Sequence, residues 1–282
     1  RRQRQMCIRD SLGSGLPAGW TTGTGAGGSS IGTSVAFPTT PVSWGDATGA
    51  FKNYAATTGL NSASTSTAQA NSTDRALGIR QTGGFGDPGA AFNYAFSTTG
   101  QVIDSLSLDL MLLAANGYST TWSIQYGVGS SPTSFTTLGT WTDPGTWGST
   151  TVTYSGGAVA GMSNLASGVF RVVALSPATG SGSRDSMGID NFRMTLKSAA
   201  AATLGAADAS AVTYSGPLAI SGTAELTAVA GGTATFSGVI SGSVGAITKT
   251  GAGTVILTGA NTYAGGVTVN QGTLVGTTTS LR

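Results

Sequence analysis

The sequence predicts an all-β protein: a sandwich or barrel of short strands, followed by the stacked rungs of a β-solenoid. Three observations carry that expectation. Charged residues make up 9% of the chain, against about 25% in ordinary globular domains. Helix formers such as Glu, Lys, Gln and Arg are scarce, while Thr and Val, which suit pleated surfaces, are abundant. Apolar residues recur with period two in short runs bounded by Gly, Pro, Ser and Asn clusters.

The first element is set aside. The chain opens RRQRQMCIRDS, with Arg1, Arg2, Arg4, Arg9 and its sole cysteine, Cys7. A nucleic-acid arm or an export n-region would account for such a cluster. However, no apolar stretch follows it, and the rest of the chain is poor in basic residues. Codon for codon, Arg1 to Ser11 resembles a translated transposase-type sequencing adapter, so 1–11 is excluded as non-native. Without Arg1, Arg2, Arg4, Arg9 and Asp10, the 13 basic and 11 acidic residues become 9 and 10, and the net charge moves from +2 to −1. Charge therefore points to no nucleic-acid partner and no membrane surface. No cysteine remains for disulfides or thiol chemistry. The remainder is expected to be a piece of a longer protein, cut at both ends, so that any outer-membrane contact would come through missing sequence.

The strands follow in order. LSLDLMLLAA, broken by Asp109, reads as a strand with Leu106, Leu108, Leu110 and Leu112 on one face. TTWSIQYGV places Trp122, Ile124, Tyr126 and Val128 together. TTVTYSG, GVFRVVAL and GIDNFRMTL continue the pattern. The one hint of a helix, SAAAATLGAADAS, sits where the composition changes, and a linker is expected at 198–210. The first domain, 12–197, carries LPAGW, Asp74-Arg75-Ala76-Leu77-Gly78 and Gly188-Ile189-Asp190-Asn191-Phe192. In that order these resemble a jelly-roll-like β-sandwich of bacterial surface proteins. The resemblance implies a fold and no activity.

The second region, 211–282, alternates short Val/Ile/Leu/Thr strands with Gly and Asn turns. Strands this short bury a core only when rungs stack on one another. Val255, Leu257, Val269 and Leu274 are expected to point into one narrow core. The stretch 247–274 contains Lys249-Thr250-Gly251, Gly253-Thr254, Gly259-Ala260-Asn261-Thr262-Tyr263, Gly265-Gly266 and Gly272-Thr273-Leu274. It resembles the autotransporter-associated β-strand repeat, also called the passenger-associated transport repeat. The resemblance implies a secreted or surface-displayed bacterial protein whose repeats form a parallel β-solenoid stalk.

Chemistry is mostly excluded. There is no histidine, which removes Ser-His-Asp sites, histidine zinc sites and the commonest general base. Glu225 is the single glutamate, and no carboxylate pair suited to glycoside cleavage can be recognised. The chain is therefore expected not to be an enzyme. Gly23, Gly25 and Gly28 spell G-x-G-x-x-G, but with no strand expected before and no helix after, a flexible loop is the better reading. Asp185 and Asp190 are candidate ligands for a structural calcium. The plainer account is turn capping by Asp185 and a strand-end hydrogen bond from Asp190, and no cofactor is expected. Trp122 is expected in the core, whereas Trp20 and Trp44 are open to either reading. Trp141 and Trp147 bracket the turn Asp143-Pro144-Gly145. They are the candidate sugar-binding pair, with Asp143 accepting hydroxyl hydrogen bonds beside them. The competing reading puts both rings on the core rim.

Together these readings give an extracellular or cell-surface protein with a structural and adhesive role. The solenoid projects, and the sandwich is a candidate binder of polysaccharide or matrix. An accessory region of a polysaccharide-active passenger enzyme and a ligand-free spacer are the alternatives. For Arg1 to Ser11, a genomic read across the junction is expected to diverge from the adapter codons. Upstream continuation with the same codons would overturn that assignment.

Overall fold

A computed structural model of the protein describes residues 15–198, 203–243 and 245–281. Arg1 to Ser11 lie outside the described residues. The chain divides into two compact units, one ending at Lys197 and the other starting at Ser198.

The first unit is a jelly-roll-like β-sandwich. Its six-stranded sheet runs, in order across the sheet, Thr33–Val35, Trp20–Thr24, Ala91–Phe96, Gly168–Val173, Thr121–Val128 and Thr136–Thr142. Its five-stranded sheet runs Gly148–Ser155, Gln101–Ala114, Ser186–Ser198, Arg75–Arg80 and Ala50–Ala55. From Arg75 onwards the chain repeatedly crosses from one sheet to the other, which places sequence neighbours on opposite sides of one core. Leu106, Leu108, Leu110 and Leu112 are all fully buried in that core with Trp122, Ile124 and Phe170. The alternation that marked them in the sequence is the pleat of a strand with one face inward. Val128, expected on the same face as Trp122, is 60% exposed because it ends its strand.

The other face of the long strand Gln101–Ala114 is covered as well. Met111 and Leu113 pack with Trp44, Tyr54 and Ala76 in a second cluster. This layer includes an element that period-reading missed, the six-residue helix Ser66–Asn71, capped by the Thr65 hydroxyl on the Ala68 N–H. Buried Arg75 ties the layer together, donating to Asn53 Oδ1 at 2.8 Å and to the Gln69 carbonyl at 2.8 Å. The helix is too short to display a 3.6-residue period.

The second unit is a parallel β-solenoid. One face stacks Thr203–Ala206, Thr223–Ala228, Ala246–Thr250 and Val267–Val269, and another stacks Ala211–Tyr214, Thr233–Phe236, Thr254–Leu257 and Thr273–Gly276. Cα partners lie from 19 residues apart (Thr254 with Thr273) to 23 (Thr223 with Ala246). The solenoid therefore begins inside the expected linker, at Thr203, which pairs with Glu225. The alanine-rich stretch is a strand over Thr203–Ala206, not a helix, because a parallel neighbour supplies hydrogen bonds that outweigh alanine's intrinsic helical preference. Residues 199–202 lie outside the described residues.

Val255 and Leu257 are fully buried, and Leu274 packs against them partly buried. Val269 departs from expectation: it is 50% exposed. It stacks in register on Lys249, which in turn stacks on Leu226, but among the described residues no further rung covers it. Lys249 takes a core position by spending its charge on turns. Its Nζ donates to the carbonyls of Thr250 at 2.6 Å, Gly251 at 2.7 Å and Gln271 at 3.0 Å. Desolvation holds its pKa below the usual lysine value. Asn261 bridges rungs in the same way, accepting from the Ile240 N–H and donating to the Ser280 carbonyl, both at 2.8 Å. Gly251 and Gly272, both in the left-handed region, turn the chain where a Cβ would strike backbone carbonyls of adjacent turns. Among the described residues, no helix is long and apolar enough to cross a membrane.

Leu257→Asp buries an unpaired charge in the narrow core and is expected to cost several kcal/mol. Damage should spread between rungs, which support one another. Limited proteolysis of this variant should leave a resistant fragment ending near Lys197. Loss of the whole chain at once would show that the two units unfold as one.

Candidate functional site

The tryptophan pair does not form a site. Trp141 is 7% exposed and belongs to the sandwich core, opposite Trp122 on the neighbouring strand. Trp147 packs on Trp44, ring centroids 5.6 Å apart, in the separate cluster on the outer side of the other sheet. Trp20 and Trp44 are buried too. Asp143 is 6% exposed and its Oδ2 accepts from the Thr120 N–H at 2.6 Å, so it is a turn anchor and not a surface acceptor. The turn between the rings leaves each on the side its strand dictates, and the two faces differ.

Nor do Asp185 and Asp190 share a cation. They lie five residues apart on largely extended chain, roughly 16 Å at strand rise, and Asp190 is fully buried within Ser186–Ser198. Among the described residues, no three His, Cys, Asp or Glu side chains are grouped to hold a metal. Asp185 instead faces Asp143. It accepts from the backbone N–H groups of Asn116 and Gly117. Burial and then the Asp143 carboxylate push the Asp185 carboxyl up to about 6, against the lowering effect of the Asn116 N–H. Burial beside a second carboxyl favours a proton on Asp185, against the pull of these backbone donors, and a calcium ion would need oxygens where the donors stand.

The arrangement best suited to a ligand is elsewhere, on the outer face of the six-stranded sheet. Phe170 and Val172 point into the core, so Arg171 between them points out. Its cross-strand partners are Asn93 on one side and Gln125 on the other. Two surface loops close over this row. From the first, 25–33, Gly27 and Ser30 offer carbonyls that accept from Arg171 Nη1 at 3.0 and 2.7 Å, and the Ile31 carbonyl accepts from Asn93 Nδ2 at 3.2 Å. From the second, 129–135, the Phe135 ring lies over the guanidinium, 3.3 Å from centroid to Cζ. Gln125 Oε1 accepts from Nε at 2.9 Å and from Nη2 at 2.6 Å. Gln125 Nε2 in turn donates to Thr137 at 2.9 Å. Arg171 is fully buried, and desolvation pushes its pKa down to about 10.

Between the two loops lies an open cleft of about 380 Å³, lined by Ser29, Ser30, Ile31, Thr33, Ser131, Pro132 and Thr133 with Gly25 and Gly32. Its volume is within the range of small-ligand clefts, about 300–1,000 Å³. Of the G-x-G-x-x-G run only Gly25 lines the cleft, and the residues just after the run, Ser29 to Thr33, form that wall. A strand, Trp20–Thr24, does precede the run, contrary to expectation, and Arg171 fixes the loop that was expected to be flexible. The sequence carried one overlooked signal: an arginine in the middle of the apolar run GVFRVVAL.

Residues 247–275 match the passenger-associated-transport-repeat family. That match covers the rungs in which Lys249 and Asn261 make their bridging hydrogen bonds. No curated protein matches the chain. Several solved structures are similar at low identity. The K3 cleaved adhesin domain of Lys-gingipain from Porphyromonas gingivalis w83 is 15% identical, with a TM-score of 0.37, over 67% of this chain and 97% of that one. The tandem CBM22-1–CBM22-2 domain of Paenibacillus barcinonensis Xyn10C is 13% identical, with a TM-score of 0.37, over 69% of this chain and 46% of that one. A CBM28 module described as specific for non-crystalline cellulose is 14% identical, with a TM-score of 0.34, over 67% of this chain and 93% of that one.

The acid pair makes stability depend on pH. Asp185 titrates from its ordinary 3.8 to about 6 on folding, so between those values the folded state binds the extra proton. The unfolding free energy should therefore fall as pH rises from about 4 to about 6, then level off. Asp185→Asn keeps an oxygen for the Asn116 N–H and removes the second charge. It is expected to flatten that slope, so that the variant loses less stability than the unmutated protein between pH 4 and pH 6. Denaturant melts across this range would read it, and a slope unchanged by the substitution would show that Asp185 is not the group responsible.

Proposed function

We propose that this chain is a stretch of a secreted or surface-displayed passenger protein, in which the repeat region is a structural stalk and the sandwich binds extracellular glycan. The repeat match and the stacked rungs support the stalk. The loop cleft supports binding: the exposed residues Ser29, Ser30, Thr33, Ser131 and Thr133 stand beside half-buried Ile31, offering hydrogen bonds and an apolar contact side by side. Sugar rings present that same mixture.

A panel of immobilised polysaccharides tests this reading. The protein is expected to be retained on at least one, and Thr133→Trp, which fills the cleft from an exposed loop position, should abolish retention with little change in melting temperature. Retention that survives Thr133→Trp would move the site elsewhere. No retention on any polysaccharide would leave the sandwich a spacer. Trp141→Ala should instead cost about 3–5 kcal/mol, as befits a core residue.

A further inference from the structure

Arg171 carries a charge that nothing near it answers. Ion pairs among the described residues include Lys52–Asp46, Arg184–Asp87 and Lys197–Asp104. Arg171 is in none of them. Its partners are an amide oxygen, two peptide carbonyls and an aromatic face. These satisfy its N–H groups and leave its full positive charge in place. Phe135 and the two loops keep water off the guanidinium, so the charge is weakly screened. The loop segments 25–33 and 129–135 contain no charged residue at all. The nearest wall of the cleft is Ser30, whose carbonyl Arg171 holds at 2.7 Å. The neutral, hydroxyl-lined cleft thus has one buried cation behind its Ser30 wall.

We propose that the cleft selects acidic sugars, binding a uronate whose carboxylate sits against the Ser30 wall and supplies the counter-charge that Arg171 lacks. This rests on the glycan-binding reading and specifies the ligand class. The carboxylate does not reach the guanidinium, which is covered. It acts across one layer of peptide, where an unscreened charge still discriminates strongly between an anion and its neutral analogue. The hydroxyls of Ser29, Thr33, Ser131 and Thr133 hydrogen-bond the ring substituents of either form, so selectivity resides in the charge.

Calorimetry on the whole chain with oligogalacturonate, oligoglucuronate and oligomannuronate, each paired with its methyl ester, tests the proposal. The ester keeps shape and hydroxyls and removes the charge. At least one acid form is expected to bind roughly tenfold tighter than its ester at low salt, with part of the advantage lost at high salt. Gln125→Glu places a carboxylate against Arg171 while keeping an acceptor for its N–H groups. This variant should melt no lower than the unmutated chain and bind acid and ester alike. Equal affinity for acid and ester in the unmutated protein, or a preference for acid that survives Gln125→Glu, overturns the proposal and leaves glycan binding standing. Failure of every sugar, including the neutral panel, removes the glycan reading and the proposal with it.

Discussion

The sandwich depends on the burial of both faces of one strand, Gln101–Ala114. Its inner face sends Leu106, Leu108, Leu110 and Leu112 into the main core, and its outer face sends Met111 and Leu113 under Trp44 and Tyr54. Burying a leucine fully is worth about 1.5–3 kcal/mol, a large contribution for one strand to make against the entropy cost of folding. The strand is also paired along both edges, with Gly148–Ser155 on one side and Ser186–Ser198, the central strand of the sheet, on the other. Where the two faces part company, polar groups take over. Asp109, the residue that breaks the apolar run, accepts from Thr151 at 2.5 Å and from Asn191 at 2.8 Å.

The solenoid meets the same demand differently. No strand in it is long enough to bury a face alone, so stability is shared between adjacent rungs. Inward columns are aligned by register: Tyr214 stacks on Phe236 at 4.8 Å, and Phe236 pairs with Leu257. The polar members, Lys249 and Asn261, are admitted because each satisfies backbone groups from two successive turns. This gives the repeat motif a physical meaning. Its lysine and asparagine are the bolts between rungs, and its glycines stand where turns come too close for a side chain.

Buried charge in the sandwich is used in two opposite ways. Asp143 and Asp185 face each other, and burial and then the neighbouring carboxylate drive Asp185 towards its neutral form against the backbone N–H groups that hold it. On the outer sheet face, Arg171 is held by neutral oxygens and stays charged, pinning two loops that have no charge of their own. Both devices join segments far apart in sequence. Arg171 reaches across to Gly27 and Ser30, and Asp185 reaches Asn116. The cleft between the loops is therefore rigid on its inner side and open on its outer one.

Much of this was legible in the amino-acid order. The period-two leucines, the paucity of charge and the Gly-Asn punctuation determined that the chain is β throughout and in two parts, because those features act locally and a pleated strand displays them directly. The repeat motif determined the stacked rungs for the same reason. Tertiary structure alone decided which face each aromatic took. Trp141 and Trp147 bracket one turn, yet their rings enter different clusters, since the second ring follows a strand of the other sheet. It also decided that Thr203–Ala206 is a rung strand, because only a neighbouring rung could supply its hydrogen bonds, and that Val269 stays half open, because no described rung covers it. Arg171 read as one polar letter in an apolar strand. Its meaning depends on two loops, 25–33 and 129–135, far apart in sequence, closing over the sheet, and such long-range closure leaves no mark on a local pattern.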